Sequence, residues 1–268
     1  GGCCGTTPAH IAAVAERCRT IQPQPIRPKT RTVVSSYGRA VEIDGPVLIG
    51  ERINPTGKSK FKQALREGDI GYLLREGIAQ QEAGAHILDV NVGLPEIDET
   101  AWMTRAVREL QAILDLPLQI DTADTATLEA AMRLYNGKPL VNSVSGKQAS
   151  MDAVFPLVRR YGGVVVALTL DEDGIPPTAE GRLAVARKIV ETAASYGIDK
   201  KDILVDVLTM AVSADPNAAN VTLDALRLVR EELGVHTVLG VSNVSFGLPR
   251  RETVNASFYT LALQNGLD

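Results

Sequence analysis

The chain has 268 residues, 45% hydrophobic and 22% charged, with a formal net charge of -4, the balance of an ordinary soluble globular protein. That charge leaves no basic footprint for nucleic acid or an anionic membrane surface, and no apolar run approaches the roughly 18 residues that span a bilayer. Cys3, Cys4 and Cys18 all fall in the first 18 residues, whereas an extracellular disulfide framework would spread them through the fold, so a reducing cytoplasm is expected.

In chain order, "GGCCGTTPAHI" sets two adjacent cysteines in a glycine-rich turn. Thr7 to Arg19, "TPAHIAAVAERCR", predicts a helix, with Thr7 as cap, Pro8 in the first turn and alanines following. Residues 20–46 have no helical period, and Pro23, Pro25 and Pro28 make their first part extended, so a connection between domains is expected. Beyond Pro46 short runs rich in Val, Ile and Leu recur: "VLIGERIN", "HILDVNVG", "PLQIDTA", "PLVNSVSG", "VVVALTLDEDG", "ILVDVLTM" and "HTVLGVSNVSF". Amphipathic stretches such as "TRAVRELQAIL" separate them. Strands alternating with helices imply a parallel sheet, and the unbroken apolar character fits strands buried on both faces.

The strands start about 31 residues apart, close to the repeat of a (β/α)8 TIM barrel of about 250 residues. An eighth strand would start near position 268, where the chain stops. The expectation is an α/β fold, a barrel lacking its eighth βα unit, preceded by a linker and the helical tail of an upstream domain. The boundaries expected are 1–22 for that tail, 23–46 for the linker and 47–268 for the barrel. Spacing alone leaves a doubly wound seven-stranded sheet open as the alternative.

Polar residues close each apolar run. They are Glu51 and Asn54; Asp89 and Asn91; Asp121 and Asp124; Asn142, Ser143 and Ser145; Asp171, Glu172 and Asp173; Asp206; and Ser242 and Asn243. A single Asp after a strand is usually a helix cap, and Asp124 and the 171–173 turn fit that role. In a parallel barrel, however, every such strand end converges on one mouth, where barrel active sites sit. A phosphate ligand would call for Lys, Arg or a glycine-rich helix start. Two other ligands suit this mouth: a divalent cation collecting carboxylate oxygens, or a flat heterocycle whose N–H groups pair with carboxylates and amides. Composition leaves both open.

Five motifs, "LIGERINPTGKSKFKQAL", "GAHILDVNVG", "QIDTAD", "PLVNSVSG" and "GVSNVSFGLPRR", together resemble the pterin-binding, methyltetrahydrofolate-utilising domain of cobalamin-dependent methionine synthases and the related methyltetrahydrofolate:corrinoid methyltransferases. "GGCCGTTPAHI" is similar to the C-terminal zinc motif of the homocysteine-binding barrel that precedes the folate barrel in such synthases. The resemblance implies transfer of the N5 methyl group of 5-methyltetrahydrofolate to cob(I)alamin held on another domain or protein, since no "DxHxxG" cobalamin motif occurs here. It implies pterin contacts from Glu51, Asn54, Asp121, Asn142 and Asp206, with Asp89 and Asn91 at the same mouth. It further implies a catalytic Asn243 near the pterin N5 and an Arg251 near the substrate. Cys3 and Cys4 would be two of three zinc ligands, an incomplete site, while Cys18 is expected to be an ordinary helix cysteine. The rival readings are a dihydropteroate synthase-like pterin enzyme, whose loop motif "NPTGKSK" does not reproduce, and a metal-dependent lyase barrel.

Overall fold

The computed structural model describes residues 2–268, which divide into two compact units, one ending at Thr30 and the other Arg31–Asp268. In the first unit, helix α1 (Pro8–Cys18) starts at a capping box between Thr7 and His10, as the sequence predicts, and none of its residues is buried.

The second unit is built on seven parallel strands: β3 (Ile49–Ile53), β4 (Ile87–Val90), β5 (Leu118–Asp121), β6 (Leu140–Ser145), β7 (Val164–Leu168), β8 (Ile203–Asp206) and β9 (His236–Val238). They pair strictly in chain order. A doubly wound sheet reverses its strand order at a switch point; this sheet never does, so the doubly wound alternative is overturned. Parallel strands joined in chain order cross over right-handedly as a rule, and the sheet curls into the wall of a barrel. The helices α2 (Ser59–Glu67), α3 (Ile70–Glu82), α4 (Glu99–Ile113), α5 (Thr125–Leu134), α6 (Gln148–Tyr161), α7 (Ala179–Ser195), α8 (Ala218–Leu233) and α9 (Arg251–Gln264) connect and follow the strands. Strands β3 and β9 are the two edges of the sheet, and a largely apolar groove of about 390 Å³ runs along Ile49, Val238, Leu239 and Tyr259.

Successive side chains on a strand point to opposite faces, and here the two faces have different jobs. Leu88, Val90, Leu118, Ile120, Val141, Val165, Ile203 and Val205 point outward into the main core with the helices. Ile87, Leu140, Val164, Val166 and Leu204 point inward as a small second core. Two residues further along the same strands, the inward positions become Asp89, Asn142 and Asp206. The lumen is therefore apolar at its N-terminal end and polar at its C-terminal end.

The apolar end is closed by a hairpin, β1 (Val33–Ser35) and β2 (Ala40–Glu42). Val34 and Ile43 bury against Ile87, Leu140 and Val164, contributing about 1.5–3 kcal/mol each. Ser35 N donates to Lys138 O at 2.8 Å, Thr32 Oγ1 to Lys201 O at 2.6 Å, and Tyr135 Oη to Ser35 O at 3.0 Å. The 23–46 stretch is thus not a uniform linker, because from Arg31 onward it belongs to the barrel unit. Its strands have only three residues each, and their partners lie far along the sequence, so local periodicity carried no sign of them.

Candidate functional site

At the polar end lies a cavity of about 270 Å³ lined by Glu51, Asn54, Asp89, Gln119, Asp121, Asn142 and Asp206, with Ile49, Val166, Val238, Leu239 and Gly240 completing the wall. Six of the expected site residues meet there. A second cavity of about 470 Å³ shares Asp121 and Asn142 and is rimmed by Thr122, Ser143, Ser145, Ser150 and Lys147.

Parallel register explains the convergence. Asp89 is paired with Gln119 across β4 and β5, and Asp121 with Asn142 across β5 and β6. Gln119 Nε2 donates to Asp89 Oδ1. Asn91 lies behind rather than in the cavity: its Nδ2 donates to Asp121 Oδ2 at 2.9 Å while its Oδ1 accepts from Gly93 N at 2.9 Å. Glu51 faces Lys58 at 3.7 Å, and Asn54 Oδ1 accepts from Thr56 N at 2.9 Å, fixing the loop after β3.

Four carboxyl groups share this lining, which includes no Lys, Arg or His. Removing charge from water without a counter-charge favours the neutral form. Burial, then the Asp121 charge, push Asp89 up to about 8, against the opposing hydrogen bond from Gln119. Burial likewise raises Asp121 and lifts Asp206 to about 6, opposed by the Leu208 N–H and the Arg182 charge. A carboxyl whose pKa is raised on folding stabilises the fold below its unfolded value of 3.8 and loses that contribution as pH climbs through the folded value. The melting temperature should therefore fall between pH 5 and pH 8, and Asp89→Asn should flatten that decline in a thermal melt series. Parallel curves for the two proteins would remove Asp89 as its source.

Asp206 is held by a device the sequence did not announce. Leu208, with φ at +65°, occupies a conformation that costs a branched residue energy. Its N–H donates to Asp206 Oδ1 at 2.8 Å, and buried Arg182 donates to Val207 O at 2.9 Å and Leu208 O at 2.7 Å. Thr222 Oγ1 adds a bond to Leu208 O at 3.2 Å.

Beyond β9 the chain departs from expectation. The strand ends at Val238, and Ser242 and Asn243 lie on a 3₁₀ helix, Val241–Ser245. A Cβ added at Gly240 would meet Asn243 Nδ2 at 2.9 Å, so the amide packs against a glycine of the cavity wall. Arg251 does not line the cavity. Its Nε donates to Ser245 Oγ at 3.0 Å and its Nη2 to Ser242 O at 3.0 Å, while the guanidinium lies 4.7 Å from the Phe246 ring centre. Arg251 braces the turn that carries Asn243.

The remaining acids are structural. Asp124 accepts from Ala126 N and Thr127 N at 3.2 Å each as the cap of α5. Asp171 accepts from Asp173 N at 3.0 Å within its own turn, and Glu172 accepts from Gln148 N at 2.8 Å at the start of α6. The lumen position that β7 contributes to the cavity is Val166. Gln119 and Arg182 escaped the sequence reading. Gln119 was legible by alternation, standing two residues before Asp121 on the same inward face.

In the N-terminal unit the Cys3 and Cys4 sulfurs lie 3.7 Å apart and both are exposed. Among the described residues no three His, Cys, Asp or Glu side chains converge on a metal position. Two thiols fall short of the three protein ligands of a catalytic zinc, so the residues present do not fit that ion and no step is assigned to it. No helix among the described residues is long and apolar enough to cross a membrane.

Residues 50–268 match the family of pterin-binding enzymes. The methionine synthase of Mycobacterium tuberculosis is 34% identical over 284 aligned residues, which take in the whole of this chain and 24% of the relative. The methylcorrinoid:tetrahydrofolate methyltransferase of Eubacterium limosum is 33% identical over 230 residues, 83% of each chain. The chain thus spans about a quarter of the length of the methionine synthases it matches. Among solved structures, dihydropteroate synthase from Xanthomonas albilineans in complex with 7,8-dihydropteroate superposes with a TM-score of 0.63 at 20% identity, covering 88% of this chain and 90% of the other. The Yersinia pestis enzyme gives 0.67 at 14%, covering 88% and 89%. These likenesses establish the barrel fold alone.

Proposed function

The chain belongs to the family of pterin-binding enzymes, and from that premise we propose that it is a folate-binding methyltransferase domain. In this reading it takes the N5 methyl group of 5-methyltetrahydrofolate and passes it to cobalamin, as cob(I)alamin, on another domain or protein. The observation that carries the reading is a lumen whose polar lining consists of carboxylates and side-chain amides without a cation. Such a lining suits a flat heterocycle rich in N–H donors and repels phosphate. The relatives' names support the same chemistry, since one pairs tetrahydrofolate with a corrinoid. That name writes the transfer in the opposite sense, and the same residues serve either direction by microscopic reversibility.

Glu51, Asn54, Asp89, Asp121, Asn142 and Asp206 hold the pterin, and Asn91 orients Asp121. A methyl group on a tertiary amine nitrogen leaves only if that nitrogen is protonated, or hydrogen-bonded as charge develops on it. Asn243 supplies an amide that can turn to bond either form, while the proton itself arrives from solvent. Arg251 keeps the Asn243 turn in place. Residues 1–22 are read as the end of a homocysteine-binding, zinc-dependent domain and the whole protein as acting in methionine synthesis. The match to methionine synthases takes in the whole of this chain, the segment with Cys3 and Cys4 included, and supports this.

Isothermal titration is expected to detect 5-methyltetrahydrofolate binding with no added metal and in the presence of EDTA. Binding abolished by the chelator would favour the metal-dependent lyase instead.

A further inference from the structure

One buried polar side chain of the cavity has a job that the pterin reading leaves unfilled. Gln119 is buried, with 6% of its surface exposed, yet it lines the cavity. Its two amide atoms have different fates. Nε2 is committed to Asp89, whereas Oε1 is sealed from solvent without a hydrogen-bond partner. An orphaned amide oxygen at such depth costs free energy unless something arrives to satisfy it.

The neighbours restrict what that can be. Gln119 is the register partner of Asp89, and Asp121, the partner of Asn142, lies two residues above it on the same strand. No protein group donates to this oxygen in the structure, and none of the cavity's side chains is a cation that could reach it. The donor must come from the ligand. Asp89 also fixes which way the amide points: its Oδ1 accepts from Nε2, which commits the nitrogen and leaves Oε1 as the amide's free acceptor.

We propose that Gln119 is a specificity-determining residue, whose Oε1 accepts an N–H group from the innermost edge of the bound heterocycle while Asp89 holds the amide in that orientation. The proposal rests on the pterin reading of the site. It adds a reader below the Asp121–Asn142 layer, so that a ring presenting carbon or a bare acceptor at its inner edge leaves Oε1 unpaired and is rejected. Sites built to bond a particular N–H discriminate strongly against analogues lacking it.

The test is a cycle between protein and ligand variants by isothermal titration of the full chain. The probes are 5-methyltetrahydrofolate and three analogues lacking in turn the N8–H, the N3–H or the 2-amino group. Gln119→Met should weaken the parent compound about tenfold, the scale of one lost buried hydrogen bond. It should leave unchanged the affinity of the one analogue that has already lost the contacted N–H. Gln119→Glu, which keeps an oxygen in place of Oε1, should retain the wild-type preference among the analogues and guards against a folding defect in the Met variant. Equal losses for the parent and all three analogues, or no loss at all, would overturn the proposal while leaving the pterin reading intact. Failure of the wild-type chain to bind the parent would overturn the pterin reading and this inference together.

Discussion

Asn243→Ala should slow methyl transfer to free cob(I)alamin by about 100- to 1,000-fold, the cost of removing a donor aimed at developing charge. The same change should weaken the folate complex by no more than about tenfold, the worth of one neutral hydrogen bond of about 0.5–1.5 kcal/mol. The difference arises because N5 acquires its charge only as the methyl group leaves, and interactions that strengthen in the transition state are the ones that accelerate a step. The amide stands on the Val241–Ser245 turn, packed against Gly240 of the cavity wall. Arg251 clamps that turn through Ser242 and Ser245, so the substitution should remove the amide without moving its support. Single-turnover reactions, with folate saturating and then limiting, separate the chemical step from binding. A loss confined to binding would make Asn243 a recognition residue.

Most of the barrel was legible because its signal is local and repeated. Each buried strand is a short apolar run, each outer helix an amphipathic one, and seven repetitions fix the class. What the runs could not convey is pairing. Strand order excluded the doubly wound sheet only once neighbours were known, and the β1–β2 hairpin depends on contacts with Asp115, Lys138 and Lys201 that are distant in sequence. Its role as the plug of the lumen's apolar end is a tertiary fact with no periodicity behind it.

The lining of the candidate cavity was legible wherever it coincided with a strand end, as at Asp89, Asp121, Asn142 and Asp206. Where a polar residue after a strand serves its own loop, the cap reading holds: Asp124 and Glu172 satisfy helix-terminal N–H groups, and such needs recur at every helix start. Arg251 marks a limit of another kind. Its position beside the Asn243 turn follows from the motif, but whether a guanidinium faces ligand or its own backbone depends on side-chain packing that spacing does not encode. Arg182 lies in the interior of α7 among residues that read as an ordinary helix, and only the folded chain brings it to the carbonyls beside Asp206.

Asp206→Asn should weaken 5-methyltetrahydrofolate by about 10- to 150-fold while changing the chemical step little, reflecting about 1.5–3 kcal/mol for hydrogen bonds to a charged group. The choice of Asn follows from the structure. Asp206 Oδ1 accepts the N–H of Leu208, a residue whose positive φ is tolerated because Asp206, Arg182 and Thr222 hold it from three sides. Truncation to Ala would release that backbone and confuse loss of ligand contact with collapse of the loop. Asparagine keeps an oxygen for Leu208 and replaces only the ligand-facing acceptor by a donor, which opposes the ligand's own N–H groups. The variant also separates charge from shape. With burial lifting Asp206 to about 6, wild-type affinity should strengthen from pH 5 to pH 7 as the carboxylate ionises, and that part of the pH dependence should vanish in Asp206→Asn. If pterin pairs with this carboxylate equally in ground and transition states, kcat at saturating folate stays near the wild-type value while the dissociation constant rises. A variant that binds normally but transfers slowly would instead assign Asp206 to the chemical step, and one with unchanged affinity and rate would remove it from the site.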